Sequence, residues 1–264
     1  MTSKSEADFG LQQKIINKIT ETAIASQIES ADKIDVNLDS DLPHILQGQT
    51  NSLKISGERI IAFKDIQLEK IDISCQDLSL NLTQALLGKI TFEQPGDFAI
   101  KLIFTESDCD RLLNSEYVRV LLQNLVLDLA GESAYFYLQQ AKCCLESDGN
   151  LSLVADIALH RQKKTKTAKF EIVFQFEQQG RRIKFISGRY FNGEALDWDE
   201  TAAIMNKVSD LLYLRHFDNE DLTLNITKIQ IEDQQLTINS NTKIKKLPDS
   251  ITQSIKSMTE EINH

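Results

Sequence analysis

The sequence is short of the residues that make tight turns, crosslinks and membrane spans. Its 264 residues hold ten glycines and three prolines. Glycine is below its usual ~7% share, so two-residue hairpin turns are few and long strands joined by polar loops are expected. Tryptophan occurs once and cysteine four times. Cysteines 75, 109, 143 and 144 are not spaced as a metal site or a disulfide frame, which leaves four reduced thiols. No run reaches the roughly 18 apolar residues of a membrane helix. The first eight residues, Met-Thr-Ser-Lys-Ser-Glu-Ala-Asp, lack the apolar centre of a signal peptide. A cytoplasmic location, with peripheral membrane contact, is the expectation. Histidines 44, 160, 216 and 264 are scattered. No nucleophile elbow, phosphate loop or dinucleotide fingerprint is present. No catalytic residue, metal ligand or cofactor is therefore assigned.

Charge is plentiful but uneven. The net charge of −10 argues against general nucleic-acid binding. Residues 160–190 run the other way. Nine Lys or Arg stand there against Glu171 and Glu177, a local excess of seven positive charges. Arg161, Lys163, Lys164 and Lys166 fall in an expected hairpin loop; Arg181 and Arg182 follow the next turn. If close together, each would attract an anionic membrane by ~1 kcal/mol; alternatively they are a solvated face. Glu194, Asp197, Asp199 and Glu200 surround Trp198. They read as the cap and first turn of a helix, with a cation site as the alternative. Trp198 reads as a core residue or as an interfacial anchor.

One segment is used twice. Leu42 to Gly48 returns as Leu82 to Gly88, each with leucines four apart and a closing glycine. Each copy is preceded by an alternating stretch (Lys33–Val36, Lys70–Ile73) and followed by another (Leu53–Ile55, Ile90–Phe92). The pattern predicts strand, one or two helical turns, glycine stop and strand, made twice. Ahead of it, residues 10–30 carry one apolar helical stripe. Between the copies the apolar parity changes from Ile66 and Leu68 to Ile71, Ile73 and Cys75, which requires a bulge or twist.

Phe98, Ile100, Leu102 and Phe104 then alternate, and Thr105-Glu-Ser-Asp108 resembles a capping box opening a helix that breaks near Asn114-Ser115. Beyond it, Ala134–Leu138, Leu151–Leu159, Phe170–Phe176 and Ile183–Phe185 alternate as antiparallel strands. A helix over about 199–217, strands near 221–231 and 235–240, and a helix near 249–262 complete the chain. This order predicts an α+β fold: long, curved antiparallel sheets wrapped around one or more helices, rather than βαβ units. It is expected to form a single domain, with a disordered tail over 1–9, an N-terminal half over 10–104 and a C-terminal half over 105–264.

The N-terminal helix, the strand Ile34-Val36-Leu38, Leu42–Gly48, Leu53-Lys-Ile-Ser-Gly57, Leu86-Leu-Gly-Lys-Ile90 and Phe104-Thr-Glu-Ser-Asp108 with Leu112-Leu-Asn-Ser115 together resemble the LmeA-like phospholipid-binding family of bacteria. The likeness covers about residues 10–125. Cys109-Asp110 stands where the family usually has Leu-Asn, and the leader of periplasmic members is missing. The resemblance implies a tubular lipid-binding architecture and a non-enzymatic role, binding or transferring phospholipid or another acyl-chain lipid. The expected apolar lining is Phe98, Ile100, Leu102, Phe104, Leu121, Ile157, Ile172, Phe174 and Phe176. Arg161, Lys163, Lys164, Lys166, Arg181 and Arg182 are expected at the head group or an anionic membrane. The alternatives are an interaction module whose helices fill its own core, and a lipid hydrolase, which needs a Ser or Cys beside a His.

Overall fold

The computed structural model describes residues 29–40, 43–44, 49–62, 66–79, 91–123, 126–129, 132–162, 164–180, 182–193, 196–212, 216–218 and 222–246. The helices expected over 82–88 and 249–262 lie outside these residues, as does that expected over 10–30 except for Glu29 and Ser30, which are not helical, Ser30 forming a β-bridge with Ile61; of Leu42–Gly48 only Pro43 and His44 are described, both helical.

The chain is mostly antiparallel strand. In order come β1 (Lys33–Asp39), β2 (Gln49–Ala62), β3 (Ile66–Ser79), β4 (Thr91–Thr105), α1 (Glu106–Asn114), α2 (Glu116–Gln123), β5 (Val126–Leu129), β6 (Glu132–Leu145), β7 (Asn150–Arg161), β8 (Lys164–Glu177), β9 (Arg182–Gly193), α3 (Trp198–Leu212), β10 (His216–Asp218), β11 (Leu222–Glu232) and β12 (Gln235–Lys246). The helix expected over 199–217 ends at Leu212, and His216–Asp218 is strand. Among the described residues two sheets result, a seven-stranded one ordered β1-β2-β3-β4-β12-β11-β10 and a five-stranded one ordered β5-β6-β7-β8-β9. β12 pairs with β4, so the end of the chain completes the sheet that its beginning starts. This is the expected α+β class, with long, curved antiparallel sheets around helices.

Register sorts the seven-stranded sheet into two faces. Val36, Ile55, Ile73 and Ile100 stand side by side across four strands. The next rows on that face are Ile34-Gly57-Ile71-Leu102-Ile238 and Leu38-Leu53-Cys75-Phe98-Thr242. Alternation puts Asp35, Ser56, Asp72, Lys101 and Asn239 on the other face. The expected parity change occurs in β2 and β3 together. Inward positions shift phase where Arg59 stands in the left-handed region (φ 47°) and again at Asp77 (φ 51°). The Arg59 guanidinium is held by Asp32.

Among the described residues, three apolar clusters form the core. One sits on the seven-stranded sheet around Val36, Leu38, Leu53, Cys75, Phe92 and Phe98. One sits on the five-stranded sheet around Leu127, Ala134, Phe136, Ile157, Leu159 and Phe170, with Ile204 of α3. The third joins the sheets: Leu68, Phe104 and Ile231 from one meet Cys143, Leu145, Leu151 and Phe174 from the other, with Cys109 of α1 among them.

α1 is the seam between the sheets. Its start is the predicted capping box, with Asp108 accepting from Thr105 N at 2.8 Å while Asp108 N donates to Thr105 Oγ1 at 3.3 Å. Glu106, Asp110 and Asn114 are four apart and so share one helix face. They accept the N–H groups of Leu145 (2.7 Å), Cys143 (2.5 Å) and Ala141 (2.9 Å). Asn114 Nδ2 also donates to Ala141 O at 2.6 Å. Alternate residues of a strand turn both backbone groups to the same edge. The helix thus closes the edge of β6 as a neighbouring strand would, and no buried N–H is left orphaned there.

Candidate apolar cavity between β8, β9 and α3

β9 is the edge of the five-stranded sheet, and it is irregular. Val173 pairs with Ser187 but Phe174 with Phe185, leaving Ile186 as an extra residue; Phe170 pairs with Tyr190 but Lys169 with Asn192, leaving Phe191 as another. Each bulge bends the strand and re-aims a side chain. Between the bulges, Gly188 lies opposite Ile172. A Cβ at Gly188 would meet only the Glu171 carbonyl oxygen, at 3.4 Å. Neighbouring strands would fill that space; here it stays open.

α3 forms the roof. Asp197 caps it, accepting from Glu200 N at 2.9 Å, while Glu200 Oε2 accepts from Asp197 N at 2.9 Å. Lys166 of β8 donates to both carboxylate oxygens of Glu200, at 2.9 and 2.7 Å. Glu200 is only 4% exposed, and losing one partner of such a buried pair costs about 3–5 kcal/mol. Tyr190 Oη lies 3.1 Å from Thr201 Oγ1. These bonds fix the helix over β8 and β9.

The space between them is a half-open cavity of about 360 Å³, lined by Phe170, Ile172, Ile186, Tyr190, Ile204 and Met205 among others. Glu171 and Arg189 border it, but alternation sends their side chains to the opposite face, where they pair at 2.6 Å. Ser187 is in the lining and no described histidine is.

Two further hollows, of about 420 and 480 Å³, adjoin on the seven-stranded sheet and share Ala99 and Asn241. Their walls are the polar rows, with Asp35, Asn37, Lys54, Ser56, Asp72, Asn239 and Asn241 in the first and Asp97, Asn225 and Lys243 in the second. They lie on the wet face. Ile100 and Phe98 border them with side chains turned to the apolar face.

The residues expected to line one groove are distributed. Phe98 is buried beside Phe92, ring centroids 5.6 Å apart, with Ile100 packed against the same cluster. Phe104, Phe174, Phe176 and Leu102 belong to the cluster between the sheets. Ile157 is 1% exposed in the cluster of the five-stranded sheet. Ile172 alone of the nine lines the cavity under α3; the side chain of Leu121 lies outside the described residues. Gly188, Tyr190 and Met205 line the cavity without being among the expected residues, and Ile204 lines it from the apolar stripe of the helix expected over 199–217. The signal for them is the broken alternation at Phe185-Ile186 and Tyr190-Phe191, with a glycine in mid-strand.

The basic groups are placed at opposite ends of one strand. Arg161 pairs with Lys164 at the start of β8, and Glu177 with Arg182 at its end. Thirteen steps at ~3.3 Å separate them by roughly 40 Å. Arg161 is ion-paired with Glu132 at 2.7 Å, Lys166 with Glu200, Lys169 with Asp156 at 3.2 Å, Lys184 with Glu177 at 3.5 Å and Arg189 with Glu171. Lys164 and Arg182 are exposed; Lys163 and Arg181 lie outside the described residues. Trp198 is 83% exposed, so it is no core residue. Among the described residues no cluster of three His, Cys, Asp or Glu is placed to hold a metal, and no helix is long and apolar enough to cross a membrane.

No curated protein and no solved structure matches the chain significantly. A family profile described as LmeA-like phospholipid-binding matches residues 7–241, extending the likeness well past the N-terminal half. The chain belongs to the LmeA-like phospholipid-binding family.

Proposed function

We propose that this protein binds a phospholipid or another acyl-chain lipid without chemically altering it, and that an acyl segment occupies the cavity between β8, β9 and α3. The observation that carries the reading is that apolar cavity, roofed by a pinned helix, in a chain of a phospholipid-binding family. An acyl chain needs only a dry apolar wall, at ~0.8 kcal/mol per buried methylene. The cavity volume of about 360 Å³ is at the small end of ligand sites, so it takes part of one chain. The half-buried row Ile55, Ile73 and Ile100 offers a second apolar wall. Lys164 and Arg182 are the exposed members of the proposed head-group set.

Native mass spectrometry after mild purification tests this, together with uptake of a fluorescent phospholipid. Lipid adducts and saturable uptake are expected. In Gly188→Val the added side chain takes the place of about three methylenes, which weakens uptake by ~2.4 kcal/mol, or ~50-fold. Apo protein alone, with no uptake, would point instead to an interaction module with a self-filled core.

A further inference from the structure

Exposed apolar side chains are concentrated on one edge. Seven large hydrophobic residues are exposed among the described ones: Val126, Tyr135, Phe185, Ile186, Tyr190, Phe191 and Trp198. Val126 and Tyr135 face each other at the far edge of the five-stranded sheet. The other five lie on β9 or at the first position of α3. Two of them, Ile186 and Phe191, are the extra residues of the two bulges. Trp198 is three residues before Thr201, one helical turn away and on the same side, and Thr201 touches Tyr190. Tyr190 and Trp198 thus flank the cavity together with Phe185 and Ile186, while Phe191 lies under the Arg189 guanidinium, 4.7 Å from the ring centroid, on the other face of the same edge strand.

The edge is continuous with the cavity. Phe185, Ile186 and Tyr190 line the cavity and are also exposed at 42–46%. Phe191 and Trp198 are exposed outside it. The strand also carries Arg182, Lys184 and Arg189 and no acidic residue, in a chain of net charge −10. The side chains of Lys184 and Arg189, ion-paired with β8, remain 53% and 65% exposed, and Arg182 is exposed as well. Of the described acids around Trp198, Asp197 and Glu200 are taken up by the helix cap and Lys166, and Asp199 is exposed; the basic part of the edge is β9, where cations beside aromatic rings match the boundary of an anionic bilayer, with rings at head-group level and cations meeting phosphate.

Building on the lipid-binding reading, we infer that β9 and the first turn of α3 are a membrane-docking edge. It seats on an anionic phospholipid bilayer and gives the acyl chain a dry path into the cavity. The occupant is the bilayer itself. Aromatic density beside an apolar cavity serves a surface that must be entered as well as touched.

Trp198, the single tryptophan, reports on this directly. The full chain is titrated with phosphatidylcholine vesicles, with and without phosphatidylglycerol, and with brominated acyl chains as quencher. The expected result is a blue shift of Trp198 emission, quenching by the brominated lipid, and tighter partition with phosphatidylglycerol that weakens as salt is raised. Phe191→Ser should weaken partition about tenfold, as expected for losing part of one buried aromatic side chain, while lipid retained in solution is unchanged. Gly188→Val should lose lipid uptake and keep vesicle binding, which separates failure of the cavity from failure of the edge. Unchanged emission with every vesicle overturns the inference. Emission already blue-shifted before vesicles are added, with a dimer by sedimentation, assigns the edge to a second copy and overturns the inference as well.

Discussion

Removing the side chain of Asn114 tests whether α1 seals the five-stranded sheet. Asn114 accepts from Ala141 N at 2.9 Å and donates to Ala141 O at 2.6 Å. Ala141 is 3% exposed. Asn114→Ala leaves both backbone groups buried beneath the helix with no partner. Each orphaned group costs about 1–3 kcal/mol, and partial relaxation brings the pair to about 2–4 kcal/mol. For a chain of this size ~2–4 °C accompanies each kcal/mol, so Tm should fall by roughly 5–15 °C. Thermal and urea unfolding followed by circular dichroism measure this, with amide exchange at Ala141 and Cys143 as the local readout. Ser107→Ala, on the exposed side of the same helix, is the control and should stay within about 0.5 kcal/mol. An Asn114→Ala protein as stable as that control, with Ala141 still protected, would refute the seam.

Two other outcomes follow from the same region. The hydrogen bond from the Cys144 thiol, and then that from Leu145 N–H, hold the Glu106 carboxyl below its ordinary 4.5. A depressed folded value means the stabilisation is complete above 4.5 and is lost as pH falls through the lower folded value. The stability gap between wild type and Glu106→Gln should thus be widest near neutrality and close on acidification. A gap constant across the acid limb in urea titrations would disprove the role of the charge. Secondly, Cys75, Cys109 and Cys143 are buried and Cys144 is exposed; the Cys109 thiol and burial raise Cys143, and Glu106 raises Cys144. Ellman's reagent should find one slow thiol in the native protein, absent in Cys144→Ser, and all four after denaturation; two or more reactive native thiols would contradict the packing.

Local chemistry was the legible part of the fold. Thr105 and Asp108 declare the start of α1 three residues apart, and the alternation of Phe98–Phe104, Leu151–Leu159 and Phe170–Phe176 declares three strands, because cap and pleat are short-range facts. The end of α3 was not legible: no glycine or proline stands between Leu212 and His216, and helical period alone does not stop at Phe217. Pairing of the basic segment was hidden for another reason. Its own stretch contains only Glu171 and Glu177, but strand pairing carries Glu132 and Asp156 against Arg161 and Lys169, and the first turn of α3 brings Glu200 to Lys166. The cavity was half legible. Ile172 falls out of alternation, whereas the bulges that open space beside it show only as two adjacent apolar pairs around Gly188.

The phase shifts in β2 and β3 have a consequence for chain length. Arg59 stands across from Glu69, and Asn51 across from Asp77, yet the pairing on either side of both places keeps the same offset. Each strand therefore carries a surplus residue that its neighbour matches. Shortening one strand alone would slip every pair beyond that point and turn Leu53 or Leu68 toward water. Only a joint loss, one residue from each strand, would leave the remaining pairs in step.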